Sequence, residues 1–458
     1  MIRIPAVPLP EGRVYQAPVE LDELFDGVQI EISPRWMGQK IRKDDMYMEI
    51  GGPKHGYQSY IHVEVAKDER AVEDGRIELI GPDISEVEPG SSFPFGVWLR
   101  CWGRQLIEDH VDPLIRAGFM PFEQGEGWML VNTRDTIWIR LNKESAAKSS
   151  WFRMGQSLLG MAKINFPLVE KGEALIIIGA PEVGGRDLIK KILDTTIRPE
   201  WEAYDARLMG LEDEDVDVFY GCTLCQTFAP NHVCCITPQR NPYCGIMSYL
   251  GAKATVEIDP YGYSFVMPKG ECLDPVMGRY TGVDQVVYER SSRSVKNVNL
   301  YSSLRYPQTN CGCFEAAAFY IPELDGIGLV DRRFAGDTPI GTNFSKLAGF
   351  MSGGNQNHGT MGLSIRTPKS KKFLQGDGGW ERIVWIPKEY KILLADCIPE
   401  EIYDKIATEE VGIDIPGIKK FLIEKQHPIV NRFWKNGEPV PLRIPKANEP
   451  WPDESSVS

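Results

Sequence analysis

Cysteine is the residue type that dominates the chemistry available to this chain. The sequence holds ten cysteines in 458 residues. All but Cys101 and Cys397 fall between Cys222 and Cys313. Thiolate sulfur selects zinc and iron–sulfur clusters. We therefore expect a metal centre in this stretch.

A first set of four cysteines is close enough in sequence to surround one metal group. Cys222 and Cys225 form a C-x2-C pair, and Cys234 and Cys244 follow singly. Zinc sites usually carry two such pairs, whereas isolated third and fourth ligands between proline-containing loops suit a bulkier iron–sulfur cluster. Zinc and unligated thiols remain the alternatives. Cys235 adjoins Cys234, and spacing does not decide which of the two is the ligand.

A second set is the tripeptide Cys311-Gly312-Cys313. Its two sulfurs can chelate one metal, and the deprotonated amides between them can add two nitrogens. A planar N2S2 set is typical of nickel(II) or copper(II). The glycine lets the backbone wrap around the ion without a Cβ clash. A turn with two buried cysteines is the alternative, which the nearby four-cysteine set disfavours.

The elements that must position these residues indicate a multidomain α/β and α+β protein. A mixed α/β domain is predicted to precede an irregular α+β metal-cluster domain, and the tail is proline-rich and extended. The predicted bounds are 1–28 for an N-terminal arm, 29–215 for the α/β domain, 216–436 for the metal domain and 437–458 for the tail.

Periodicity predicts individual elements in both domains. Strands are expected at 46–50, 60–65, 77–80, 175–178, 255–258 and 383–386, and a hairpin at 128–131 and 136–141. Helices are expected at 20–25, 106–117, 155–163, 186–194, 400–410 and 418–425.

Composition excludes several functions. The net charge of −13 opposes general binding to nucleic acid, which needs a basic surface. The longest strongly apolar run, 174–180, is too short to span a membrane. The N-terminus lacks the apolar core of a signal peptide. We therefore expect a cytoplasmic protein, in which cysteines are thiols or metal ligands.

The cysteine motifs resemble the nickel-containing, CO-methylating acetyl-CoA synthases, and in particular the archaeal β subunit of the acetyl-CoA decarbonylase/synthase complex. The resemblance covers roughly residues 30–395. It is carried by the strings GCTLCQTFAPNHVC (221–234), ITPQRNPYCG (236–245), KGECLDP (269–275) and NCGCFE (310–315).

The resemblance implies roles for individual residues. A [4Fe–4S] cluster would be held by Cys222, Cys225, Cys234 and Cys244. Cys225 would also bridge to a proximal nickel, which Cys311 and Cys313 would join to a distal nickel. The distal ion would also be bound by the amides of Gly312 and Cys313. Phe228 would shield the proximal nickel.

The implied activity is that of an acyltransferase. It assembles or cleaves acetyl-CoA from CO, a corrinoid-bound methyl group and CoA. The implied partners are CO dehydrogenase subunits and a corrinoid iron–sulfur protein, and contacts to CoA and to the corrinoid protein are assigned to the α/β domain. The alternative is an iron–sulfur electron-transfer or scaffold subunit without nickel chemistry.

Other polar motifs have an ordinary interpretation beside a functional one. The segment 179–186 could hold a phosphate of CoA at a helix N-terminus, but a plain turn is favoured. Arg100 and Arg104 around Trp102 suggest adenine and phosphate contacts, but a surface cluster is favoured. An acidic run at 212–215 and a basic run at 366–391 are interpreted as solvated surface.

Histidines and the remaining cysteines are assigned supporting roles. His232 is expected either to hydrogen-bond a cluster sulfur or to face solvent, and His358 is not expected to be a ligand. Cys101, Cys272 and Cys397 are interpreted as small buried apolar residues.

Overall fold

The computed structural model of the chain describes residues 4, 7–19, 41, 43–56, 58–119, 128–132, 134–227 and 229–451. The predicted helix at 20–25 lies outside them. Two compact units are present. The first comprises Met1–Gly210 and Leu250–Ile258, and the second comprises Leu211–Tyr249 and Asp259–Ser458. The predicted fold class, α/β and α+β in a multidomain chain, is confirmed.

The first unit contains two mixed sheets. Its strands are β1 (Arg13–Gln16), β2 (Met46–Gly51), β3 (Tyr60–Val65), β4 (Arg76–Ile80), β5 (Ser91–Phe93), β6 (Phe95–Trp102), β7 (Trp128–Asn132), β8 (Thr136–Asn142) and β9 (Lys171–Ile178). One sheet has the order β1-β4-β9-β6-β3 and the other β5-β2-β8-β7. Strand β9 is central and buried, as its continuous apolar run predicts.

Helices complete the first unit. They are Val111–Phe119, Lys143–Lys148, Trp151–Asn165, Gly185–Ile192, Arg198–Met209 and Tyr249–Ile258. The helix Trp151–Asn165 begins where the Ser150 hydroxyl accepts a hydrogen bond from the Arg153 backbone N–H at 3.1 Å.

The strand predicted at 255–258 is wrong, because these residues end the helix Tyr249–Ile258. Its β-branched residues favour a strand. The preceding Ala252, Lys253 and Ala254 are good helix formers. The helix packs closely against Asp112 at Gly251, because a Cβ on Gly251 would lie 2.6 Å from an oxygen of Asp112.

The second unit carries the cysteine-rich segment on small sheets. Its strands are β10 (Val218–Cys222), β11 (Cys234–Ile236), β12 (Ser264–Pro268), β13 (Cys272–Asp274), β14 (Arg279–Tyr280), β15 (Ala316–Ile321), β16 (Gly326–Asp331), β17 (Thr360–Leu363) and β18 (Ile383–Trp385). The sheets have the orders β11-β10-β12, β13-β14 and β17-β15-β16-β18. Strands β15 and β16 are buried along their whole lengths and form the centre of the unit's largest core.

Helices of the second unit are Thr281–Arg290, Phe344–Met351, Lys388–Leu393, Glu400–Tyr403, Ile415–Glu424 and Pro428–Arg432. The helix predicted at 400–410 therefore ends early. Its continuation is prevented because the backbone of Ala407 instead bonds to Val384 and Ile386 beside β18. Ala407 thus pairs with the sheet and cannot take helical hydrogen bonds.

Residues 438–451 run without a helix or strand and contact the rest of the second unit. The Leu442 N–H donates to the Tyr320 hydroxyl at 2.8 Å, and the Trp451 N–H donates to the Tyr306 hydroxyl at 2.9 Å. None of the helices in the described part of the chain has the length and apolar character that a membrane span requires.

Candidate metal centre

The β10–β11 pair brings the first cysteines together. Cys222 ends β10, Cys234 begins β11, and the two residues are direct partners in the antiparallel register. Directly opposite residues on antiparallel strands project from the same face of a sheet. Cys225 follows in the short helical turn Leu224–Thr227. Three predicted ligands are therefore carried by one hairpin-like segment.

Strand alternation separates Cys234 from Cys235. Cys235 pairs with Gly221, one position along from the Cys222–Cys234 pair. Successive side chains point to opposite faces of a strand. Cys235 is buried in an apolar cluster with Phe219 and Phe265, so its side chain packs in the protein core.

Cys244 lies in the loop after β11, and buried hydrogen bonds brace that loop. The Asp213 carboxylate accepts hydrogen bonds from the Thr237 hydroxyl at 2.8 Å and from the Gln239 N–H at 2.8 Å. It also accepts from the Tyr301 hydroxyl. Asp213 belongs to the acidic run predicted to be solvated, but this residue is fully buried. It ties the start of the unit to the loop that carries Cys244.

Cys225, Cys311 and Cys313 form the tightest ligand group. Their three sulfurs all lie within 4.8 Å of one another. Cys311 is buried, and Cys225 and Cys313 are half-buried. The first cysteine comes from the C-x2-C pair and the other two from the distant C-G-C tripeptide. The fold thus joins the two sequence motifs at a three-thiol site.

Gly312 has the conformation that this tripeptide needs. Its φ is +117°, a region that residues with a side chain rarely adopt. A Cβ at this position would also lie 2.9 Å from the Ser352 hydroxyl oxygen. The resulting turn directs the Cys313 backbone N–H to the Cys311 sulfur at 3.4 Å. A backbone nitrogen and a sulfur thus already face each other within the tripeptide.

Two thiols of this group, those of Cys225 and Cys311, have a raised pKa. Contacts with the Cys311 and Cys313 sulfurs, and then burial, raise the pKa of the Cys225 thiol well above its usual value. For the Cys311 thiol the contact with Cys225 lowers the pKa, but the contact with Cys313 and burial outweigh it, so its pKa is also raised well above the usual value. A thiolate-binding cation would have to displace these protons, so its binding would release protons.

Polar residues that the sequence did not single out surround Cys234. The Gln308 side-chain amide donates to the Cys234 sulfur at 3.5 Å and accepts the Cys235 N–H at 2.8 Å. Arg240 donates to the same amide oxygen at 3.0 Å. Burial raises the pKa of the Cys234 thiol to about 11, Arg240 opposes the rise, and nearby Cys244 adds to it. Only the closeness of Gln308 and Arg240 to cysteines in the sequence could have suggested them.

The two histidines near the centre, His232 and His358, both form hydrogen bonds with other protein groups. His232 is 1% exposed, so the solvent-facing alternative is wrong. Its Nδ1 lies 3.0 Å from the Thr309 hydroxyl. Burial lowers its pKa to about 4. His358 accepts the Tyr306 N–H and contacts the Glu449 carbonyl, which uses both ring nitrogens.

The weaker predicted sites have ordinary explanations. Arg100 binds Glu64 and Glu173 at 3.0 and 3.1 Å. In the segment 179–186, a Cβ on Gly179 would lie 2.2 Å from Pro94, so close packing accounts for this glycine. The prediction that Cys272 is buried is wrong, since it is exposed.

The charged runs meet in part at the surface of the second unit. Lys371 pairs with Glu212 at 2.9 Å, and Lys372 pairs with Glu214 at 2.7 Å. The Lys371–Glu212 pair is largely exposed, so it contributes little to stability, whereas the Lys372 side chain is mostly buried. Phe228, predicted to shield the metal, lies outside the described residues.

Comparison with known proteins assigns the chain to a class of enzyme-complex subunits. Residues 28–183 match the family model described as CO dehydrogenase/acetyl-CoA synthase complex beta subunit. Residues 201–432 match the family model for the C-terminal part of the ACS/CODH beta subunit. The chain belongs to this β-subunit family.

Individual relatives agree with this family. The chain is 46% identical, over 90% of its length and 85% of the relative, to acetyl-CoA decarbonylase/synthase complex subunit beta 2 of Methanocaldococcus jannaschii. It is 42% identical, over 89% of its length and 86% of the relative, to the beta subunit of Methanopyrus kandleri. The solved C-terminal domain of an acetyl-coenzyme A synthase alpha subunit matches 26% of this chain and 94% of that domain, with 42% identity and a TM-score of 0.24.

Proposed function

We propose that this chain is the acetyl-CoA-assembling and acetyl-CoA-cleaving subunit of its complex, with a nickel and iron–sulfur centre in the second unit. The observation that carries the proposal is the three-sulfur group of Cys225, Cys311 and Cys313. Two motifs far apart in the sequence converge there. A turn with two unrelated buried cysteines would have no reason to meet a third thiol.

The ligand assignment follows the two motifs. We assign a [4Fe–4S] cluster to Cys222, Cys225, Cys234 and Cys244. A proximal nickel is assigned to the sulfurs of Cys225, Cys311 and Cys313. A distal nickel is assigned to the sulfurs of Cys311 and Cys313 with the amide nitrogens of Gly312 and Cys313. The 3.4 Å approach of the Cys313 nitrogen to the Cys311 sulfur supports the mixed nitrogen and sulfur set.

The spacing of the four cysteines supports a cluster over zinc. In a tetrahedral zinc site with Zn–S bonds of about 2.3 Å, all four sulfurs lie within about 4 Å of one another. No three of the sulfurs of Cys222, Cys225, Cys234 and Cys244, which are all described, meet even a 4.8 Å limit. A multi-iron cluster holds its thiolates further apart than a single ion does.

The metals would supply the carbon–carbon and carbon–sulfur bond chemistry between a methyl group, CO and CoA. The chain's own residues hold the sulfurs in place and limit water access. Strand register orients Cys222 and Cys234, and the Gly312 turn orients Cys311 and Cys313. The buried ring of Phe314, the residue after the tripeptide, lies edge-on to Phe344 in the same core cluster as Cys311. We propose that Phe228 covers the open side.

The substrates and partners follow from the family. We propose CoA or acetyl-CoA, CO and a methylated corrinoid iron–sulfur protein as substrates. CO dehydrogenase subunits are the proposed partners in the complex. The relatives are named as subunits of the acetyl-CoA decarbonylase/synthase complex.

Metal analysis and exchange assays test the proposal together. The chain, purified without oxygen and supplied with nickel, should hold about four iron and two nickel per chain. It should exchange the CoA or carbonyl part of acetyl-CoA. Cys311→Ala and Cys313→Ala should abolish exchange and lower nickel content, while Cys272→Ala, an exposed cysteine outside the site, should keep both.

The alternatives make different predictions in the same experiment. An iron–sulfur carrier would hold iron alone, and a zinc-bound scaffold would hold zinc. Retained exchange in Cys311→Ala or Cys313→Ala would refute the nickel assignment. Absence of nickel from the wild-type chain would refute the proposed activity.

A further inference from the structure

Arg240 is a buried guanidinium group whose hydrogen bonds all go to neutral acceptors. The side chain is 3% exposed. Its Nε donates to the Leu300 carbonyl at 3.1 Å. Its Nη1 donates to the Cys235 carbonyl at 2.8 Å and to the Gln308 amide oxygen at 3.0 Å. Among the described residues, no carboxylate is hydrogen-bonded or ion-paired to it.

The other buried arginines of the described residues each have a carboxylate partner. Arg134 contacts Asp205 at 3.2 Å, Arg140 contacts Glu49 at 2.7 Å, and Arg382 contacts Asp325. A charge removed from water without a partner is strongly unfavourable. The contrast indicates that Arg240 lies against an anion that is not a carboxylate of the described chain.

Cys234 lies on the other side of a shared hydrogen-bond partner. The Gln308 oxygen accepts from Arg240, and its nitrogen donates to the Cys234 sulfur at 3.5 Å. Arg240 also lies in the loop between Cys234 and Cys244, and its guanidinium carbon is 5.2 Å from the centre of the Tyr243 ring. The cation is thus held on the side of the site where the proposed cluster has two of its ligands.

We propose that Arg240 is the counter-ion of the anionic iron–sulfur cluster, and that Gln308 positions the Cys234 sulfur toward it. This inference rests on the cluster assignment made under the proposed function. A four-iron cluster with four thiolates is negatively charged and becomes more so when it accepts one electron. A nearby buried cation stabilises the reduced form more, so Arg240 raises the reduction potential.

A redox titration of the iron-loaded full chain tests the charge effect. The cluster is reduced by one electron from titanium(III) citrate and followed by EPR. In Arg240→Gln, the ratio of reduced to oxidised cluster at the wild-type midpoint should fall about tenfold, which is about 59 mV for a one-electron couple. Arg240→Lys keeps the charge and should stay within about threefold of wild type.

Thermal unfolding separates a counter-ion from a merely structural arginine. In the metal-free chain the Arg240 charge has no anionic partner, so its removal should cost little stability. In the iron-loaded chain the charge is paired with the cluster, so its removal should lower stability. Arg240→Gln should therefore lower the Tm of the iron-loaded chain more than that of the metal-free chain. The matched control is Arg382→Gln, a buried arginine with its own carboxylate, which should lower both equally.

A second variant keeps the test valid if Arg240→Gln does not fold. Gln308→Glu places a carboxylate against Arg240, where the amide oxygen now lies at 3.0 Å. It should raise the Tm of the metal-free chain and lower the cluster potential.

The outcomes distinguish this inference from the proposed function. A wild-type chain that binds no iron refutes the cluster assignment itself. Iron bound at wild-type potential in Arg240→Gln, with equal Tm losses in loaded and metal-free chains, overturns the role of Arg240 alone. Unchanged Tm and potential in Gln308→Glu would overturn it as well.

Discussion

Replacement of Gly312 by alanine tests whether the backbone of the C-G-C tripeptide holds nickel. Gly312 has a φ of +117°, and a Cβ there would lie 2.9 Å from the Ser352 hydroxyl oxygen. The unfavourable backbone conformation costs a residue with a side chain about 1–3 kcal/mol. Moving Ser352 breaks its hydrogen bond to the Ala348 carbonyl, which adds about 0.5–1.5 kcal/mol.

The two terms together come to about 1.5–4.5 kcal/mol. In the metal-free chain the loop can relax away from the strained path. Nickel binding must restore the strained backbone conformation, because the sulfurs of Cys311 and Cys313 have to reach the same ion. At about 1.4 kcal/mol per tenfold change, Gly312→Ala should weaken nickel binding about 10- to 1,600-fold.

The assay is a competition titration of nickel(II) against a chelator under anaerobic conditions. Gly341→Ala is the matched control, because Gly341 also has positive φ but has open space around its Cβ position. Adding Ser352→Ala to Gly312→Ala should recover the part of the nickel affinity that the contact with the hydroxyl removes. A folded Gly312→Ala chain that binds nickel within about threefold of wild type would refute the reasoning.

Three further predictions concern other positions. Gly349 is an exposed residue of the helix Phe344–Met351 with open space at its Cβ position, so Gly349→Ala should raise the urea unfolding free energy by about 0.4–1 kcal/mol. Cys234→Ala should lose iron, whereas Cys235→Ala should keep it and only lower stability; equal iron loss would contradict the strand-face argument. Burial lowers the pKa of His427 from 6.5 to about 4, so between pH 6.5 and about pH 4 only the unfolded chain gains that proton. As the pH decreases through this window, the free energy of unfolding should decrease by about 1.4 kcal/mol per pH unit. His427→Asn should remove this contribution to the pH dependence.

Local elements with a strong pattern were predicted well. The buried strand at 175–178 and the hairpin at 128–141 are present as β9 and the β7–β8 pair. The apolar patterns of β8 and β9 match their burial. Patterns that conflict with long-range contacts were misleading. The residues 255–258 continue a helix, and the helix at 400–410 ends at Tyr403 because Ala407 bonds to a strand.

The candidate site divides in the same way. Sequence spacing by itself determined that the chain carries a C-x2-C pair and a C-G-C chelate, because ligand chemistry depends on residues a few positions apart. Only the tertiary structure decided that Cys225 meets Cys311 and Cys313, and that Cys235 packs in the core. It also placed the unpaired charge of Arg240 beside Cys234. Such contacts depend on strand register and loop closure across long stretches of chain, which no local pattern encodes.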